Sequence, residues 1–103
     1  MNMSKGELGI GTSQLLETED EIIASYYMPG FDEKNIKVKL KDNILTISGE
    51  MKAINQFETQ QSQQYVSGSF QQSVSLPANA VTDDIKKEFK DGVFKILIPK
   101  QKD

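Results

Sequence analysis

The sequence predicts an all-β protein, an antiparallel β-sandwich of about seven or eight short strands. Three observations predict it. Runs of β-branched and aromatic residues recur along the chain, with strict period-2 alternation in Ile36 to Lys41. Turn signals at Pro29-Gly30, Asp42-Asn43 and Asp91-Gly92 punctuate these runs at hairpin spacing. No segment carries a helical apolar stripe of useful length, and no internal repeat is present.

The elements follow in order. Residues 1–12 hold three glycines with scattered polar and apolar side chains and read as a flexible N-terminal arm. Leu15-Leu16 mark a short strand, followed by a tight turn at Glu19-Asp20. Ile22 to Met28 form a strand that Pro29-Gly30 stops; its run is apolar on both faces, so neither face is fully exposed. Phe31 to Asn35 make a connecting turn. Ile36, Val38 and Leu40 then share one face of a strand, with Lys37, Lys39 and Lys41 on the other; a helix would scatter them around its axis. Asp42 and Asn43 both tolerate the positive φ of a two-residue turn, and Ile44 to Gly49 is the returning strand.

Residues 51–68 change character. Glutamines stand at 56, 60, 61, 63 and 64, and the charges are Lys52 and Glu58. The segment reads as a long loop, with a short strand near Ile54 to Phe57. A loop of this length inside a compact domain usually has a task; composition alone also fits a polar connector without one. Gly68 to Leu76 returns to strand, with Phe70, Val74 and Leu76 on one face and Pro77 closing it. Ala78 to Asp84 connects, with Thr82, Asp83 or Asp84 able to cap a single helical turn. Ile85 and Phe89 suit helix and strand equally. The Asp91-Gly92 turn needs a hairpin partner for Val93 to Ile98, which makes 85–90 a strand. The domain thus spans 13–100, with a short tail at 101–103.

Composition narrows the function. All 12 basic residues are lysine, and 15 acidic residues bring the net charge to -3. An acidic chain without arginine lacks the basic face and the guanidinium forks that nucleic-acid recognition uses. Histidine and cysteine are absent, which removes the commonest general base, thiol chemistry and the commonest soft metal ligands; no metal or cofactor is expected. No stretch approaches a membrane span, and Met1 to Gly11 lacks the apolar run of a signal peptide, so the chain reads as soluble and cytoplasmic. The paired carboxylates Asp83-Asp84 and Glu19-Asp20-Glu21 lie in polar turns, where nothing raises a pKa for acid–base work, and no nucleophile or phosphate-loop motif appears. An enzyme is not expected.

Several stretches together carry a family resemblance. They are Met28-Pro29-Gly30-Phe31, Ile36-Lys37-Val38, Asn43 to Glu50, Gly68-Ser69-Phe70, Ser75-Leu76-Pro77, and Asp91-Gly92-Val93-Phe94 running to Ile98-Pro99-Lys100. In this order, over about residues 14 to 100, the chain resembles the α-crystallin domain of small heat-shock proteins, in its bacterial and plant form. The resemblance implies an immunoglobulin-like sandwich and ATP-independent holding of unfolding client proteins. It also implies a homodimer, formed by exchanging a strand from the 51–68 loop. Its anchors would be Ile54 and Phe57, and the receiving edge the first strand, at Leu15 and Leu16. A client or peptide groove would lie between the Ile36–Leu40 and Ile85–Phe89 strands, lined by Ile36, Val38, Leu40, Ile85 and Phe89; inward residues of any sandwich core would show the same pattern. The lysine face fits a solvated strand face that guards an edge, or one that steers acidic partners. The chain departs from the family at Gln72, where arginine is common, in its glutamine-rich loop, and at Phe94, where leucine is usual. Asp103 follows the last strand closely without an Ile-x-Ile tail, so a dimer is expected rather than a large assembly. The alternative is a co-chaperone or adaptor of the p23/CS type, which shares the sandwich and lacks the exchanged strand.

Overall fold

The structure, a computed structural model, describes residues 9–56 and 63–102, the side chains of 52–56 and 63–67 excepted. Seven strands emerge: β1 (Ser13–Glu17), β2 (Glu21–Tyr27), β3 (Ile36–Lys41), β4 (Ile44–Gln56), β5 (Gln63–Ser75), β6 (Lys86–Lys90) and β7 (Val93–Pro99). They form two antiparallel sheets, one ordered β1-β2-β7-β6 and the other β3-β4-β5.

Side-chain parity builds the core. Alternate residues Ile22, Ala24 and Tyr26 of β2 and Phe94, Ile96 and Ile98 of β7 face Leu45 and Ile47 of β4, and all are buried. Met28, Phe31, Leu76 and Ala80 close the ends. The opposite face of β2 is covered as well: Ser25 is buried, and Ile23 and Tyr27 are half-buried, as its two-sided apolar run requires. Burial raises the Tyr26 phenol above the ordinary tyrosine pKa, because ionisation there would place a charge among apolar side chains.

Both short hairpins use the left-handed turn their sequences suggest. Asp42 and Asn43 have φ of 53° and 61°, and Asp91 and Gly92 have 52° and 77°, the signature of a type I′ turn. Asn43 also ties its turn to the end of β5. Its Nδ2 donates to the Pro77 carbonyl at 3.0 Å, and its own carbonyl accepts from Leu76 N–H at 2.8 Å. Replacing Asn43 with alanine removes the side-chain bond and places a Cβ-bearing residue with no polar group in αL, so about 2 kcal/mol of stability should be lost. Asn43→Gly, which keeps the conformation and loses only the bond, should cost about half as much. Urea denaturation midpoints separate the two.

Two sequence expectations change. Residues 51–68 are not simply a loop. The β4–β5 ladder runs without a break from Ile44 opposite Ser75 to Gln56 opposite Gln63, so each strand is 13 residues long. Hydrophobic alternation reveals strands that bury a face; this pairing mixes apolar pairs such as Ala53–Val66 and Ile54–Tyr65 with polar ones such as Asn55–Gln64, without a period-2 pattern, and backbone pairing of this kind is not reported by periodicity. Phe57, in the expected short strand, lies outside the described residues. The Thr82–Asp84 segment forms turns and a bend rather than a helical turn; a 3-10 turn occurs instead at Glu33–Asn35, where Lys34 N–H donates to the Asp32 side chain.

Candidate functional site

Stacking a four-stranded sheet on a three-stranded one leaves an edge at each end of each layer. Among the described residues these edges are β1 and β6 in one sheet and β3 and β5 in the other. Two contacts fix how they face one another. Gln72 Nε2 of β5 donates to the Gly11 carbonyl just ahead of β1, at 3.2 Å. The Tyr26 and Phe70 rings meet edge-on at 6.2 Å. β5 therefore lies beside β1, and β3 faces β6 across the other side of the sandwich.

The β3/β6 side carries apolar side chains on both of its edge strands. Ile36, Val38 and Leu40 project inward from β3, and Ile85 and Phe89 from β6 and its approach; all five are half-buried against the core. Phe89 leans on Phe94 with ring centroids 6.1 Å apart. The five residues expected to form the groove thus lie on edge strands of the two sheets, each packed against the common core.

Backbone bonding at these edges follows from the turns. In a two-residue hairpin the residues flanking the turn exchange both hydrogen bonds, and bonding then alternates along the strand. Lys41 opposite Ile44 is such a pair, so Lys39 and Lys37 also bond to β4, while Val38 and Leu40 point their N–H and C=O groups to the free side. Lys90 opposite Val93 is the other, so Glu88 and Lys86 bond to β7, while Lys87 and Phe89 point outward. Ile36 is partly occupied, its N–H donating to the Glu33 carbonyl. Both walls combine inward apolar side chains with outward backbone groups.

The β1/β5 side differs. Thr18 N–H donates to the Glu21 carbonyl at 2.8 Å, and Tyr27 N–H to the Thr12 carbonyl at 2.9 Å. Even-numbered residues of β1 therefore bond to β2, and Ser13, Leu15 and Glu17 present their backbone groups to the free edge. Leu15 pairs with Ala24 and faces the sandwich opening, in a shallow depression with Tyr26, Gln72 and Val74. Leu16 pairs with Ile23 on the outer face. At 44% and 37% exposure the two leucines are open to a partner on different faces of one strand. β1 is fastened at its far end by Lys100, whose Nζ lies 2.8 Å from both Glu17 Oε2 and the Thr18 carbonyl. Ile54 lies in β4, opposite Tyr65 by backbone register; its side chain, like Phe57, is outside what is described.

One inward-facing residue of β6 is not among those the sequence suggests. Lys87 pairs with Ile96, a core residue, so it stands on the inner face of β6 between Ile85 and Phe89. The i, i+2, i+4 spacing of these three carried the signal. The carboxylates Glu19, Asp20, Asp83 and Asp84 are exposed on turns. Among the described residues no three His, Cys, Asp or Glu side chains are grouped as a metal site would need, and no helix is long and apolar enough to cross a membrane.

Comparison with known proteins agrees with this architecture. The family model described as Hsp20/alpha crystallin family matches residues 14–103. The 26.5 kDa mitochondrial heat shock protein of Arabidopsis thaliana is 35% identical over 91 residues, covering 84% of this chain and 39% of that protein. Small heat shock protein C2 of Rickettsia felis is 34% identical over 94 residues, covering 89% of this chain and 61% of that protein. The chain thus spans about two fifths and three fifths of these two relatives' lengths. Among solved structures, hspA from Xanthomonas axonopodis superposes with a TM-score of 0.71 at 30% identity, over 87% of this chain and 92% of that one.

Proposed function

The chain belongs to the Hsp20/alpha crystallin family, and on that premise we propose that it is the client-binding core of an ATP-independent chaperone, a holdase that keeps unfolding proteins from aggregating. The observation that carries this reading is the pair of edge strands β3 and β6, with apolar side chains inward and backbone groups outward, which we read as the two walls of a cleft. An extended client segment added to either wall satisfies the free N–H and C=O groups of Val38 and Leu40, or of Lys87 and Phe89, and inserts alternate side chains among Ile36, Val38, Leu40, Ile85 and Phe89. No bond is made or broken in such binding, so the protein acts as a binding module and not as an enzyme. The family match sets aside the p23/CS adaptor.

The β1 edge supports a second contact, a homodimer in which a strand of one copy joins β1 of the other beside Leu15 and Leu16. The arm formed by the far ends of β4 and β5 is the donor in this reading, with Ile54 and Phe57 as anchors. Absence of cysteine from the whole chain suits a reducing cytoplasm.

Light scattering of a heat-labile client tests the main claim. At several-fold excess the chain should suppress scattering, and Val38→Asp, which forces an ionised carboxylate into the cleft, should lose most of that effect while retaining the β-sheet circular dichroism of the parent. No suppression by the parent protein contradicts the reading.

A further inference from the structure

The β3 and β6 edges are apolar on their inward faces and carry exposed lysines beside them, in a chain whose net charge is -3. Lys37, Lys39 and Lys41 alternate with the groove residues of β3 and occupy its outer face. Lys87 rises from the inner face of the opposite wall. All four are exposed. Among the described residues the ion pairs are Lys34–Asp32, Lys100–Glu17 and Lys102–Asp20, and none involves these four lysines. One carboxylate, Glu50, lines a shallow depression with Lys37 at the start of β3, although the two form no ion pair. The others stand to the side: Asp42 and Asp91 sit at the turn tips, Asp83 and Asp84 precede Ile85, and Glu88 pairs across to Lys95 on the outer face.

We propose that the β3/β6 cleft selects extended client segments in which apolar residues alternate with carboxylates; this rests on the groove reading above. The pleat supplies the argument. A strand added antiparallel to the β3 edge bonds at Val38 and Leu40, so its residues opposite these face inward to the cleft. Its residue opposite Lys39 then stands on the outer face in a non-hydrogen-bonded pair, where side chains across neighbouring strands approach most closely. Residues opposite Lys37 and Lys41 share that face. An aspartate or glutamate at these positions meets an ammonium group with no ion partner of its own among the described residues. A lysine there meets a row of like charge, and a neutral residue meets neither. Lys87 adds a cation from the other wall, where register places it between Ile85 and Phe89 on the inner face.

The same charges oppose the pairing of this edge with its own copy, because two lysine rows would then face each other. Inward and edge lysines are a known guard against indiscriminate strand addition. Here the guard has a sign, and carboxylates are what pass it.

The test uses three capped peptides that share alternating isoleucines and carry aspartate, serine or lysine between them. Binding to the full chain is measured by fluorescence anisotropy at low salt and at about 1 M salt. The aspartate peptide should bind most tightly and the lysine peptide least, with about a tenfold spread or more at low salt that contracts to a few-fold at high salt. The triple variant Lys37→Gln, Lys39→Gln, Lys41→Gln should bring the three affinities together, since it changes exposed positions and leaves the apolar lining intact. If all three peptides bind the parent alike, charge selection is wrong and the groove reading stands. If none binds, or if Val38→Asp leaves all binding unchanged, the groove reading fails and the selectivity fails with it.

Discussion

Replacing Phe94 with alanine should remove about 3–5 kcal/mol of folding stability, a large share of the roughly 5–15 kcal/mol a domain of this kind holds. Phe94 is 2% exposed, sits on the central strand β7, and packs between the core and Phe89. Truncation deletes a ring from the centre of the sandwich and leaves a cavity that the flanking strands, held in ladder on both sides, cannot close. Phe89 loses the surface it leans on, so the floor of the β3/β6 cleft loosens with the core. In urea, with a slope of about 1–3 kcal/mol per molar, the midpoint should fall by more than about 1 M. Leu97→Ala, on the same strand and its half-buried outer face, should cost clearly less. A Phe94→Ala loss below about 1 kcal/mol would mean that the two sheets do not close on this residue.

Replacing Leu15 with proline should dissociate the proposed dimer and leave the fold standing. The Leu15 N–H points away from β2, so proline there breaks no bond of the β1–β2 ladder, and its fixed φ is tolerated on an edge strand. The ring removes a donor from the free edge and obstructs an incoming strand, and the exposed leucine contact goes with it. A weakening of about a hundredfold in dimer dissociation constant is expected, read by sedimentation across a concentration series. Gln14→Pro reverses the pattern. Its N–H faces β2, so that substitution should lower the melting temperature instead. If both substitutions act alike, bonding does not alternate along β1 as derived.

Much of this architecture was legible because local chemistry decides it. Ile36 to Lys41 alternates so strictly that its strand, its inward face and its lysine face follow at once. Asp42-Asn43 and Asp91-Gly92 supply the positive φ their turns use, and the second of these turns correctly made Ile85–Lys90 a hairpin partner rather than a helix. The five groove residues follow from parity once the strands are known. What was not legible depends on distance along the chain. The ladder of β4 and β5 out to Gln56 and Gln63 pairs adjacent apolar residues such as Ala53 and Ile54 with Val66 and Tyr65 among glutamines and asparagine, so no alternating apolar rhythm announces it. The bond from Gln72 to Gly11 joins residues 61 positions apart, and the Lys100–Glu17 pair joins residues 83 apart. Lys87 was hidden by its type, since a lysine between Ile85 and Phe89 looks like a solvated residue until register places it on the inner face.

The account turns on two strand edges whose backbone groups remain available to another polypeptide. Amide hydrogen exchange, resolved by residue, tests this directly. In the free protein Val38, Leu40, Lys87 and Phe89 should exchange faster than their neighbours Lys39, Lys41, Glu88 and Lys90. Adding an unfolding client should slow the first set selectively. Uniform protection along β3 and β6 in the free protein, or client-induced protection that bypasses both strands, would contradict it.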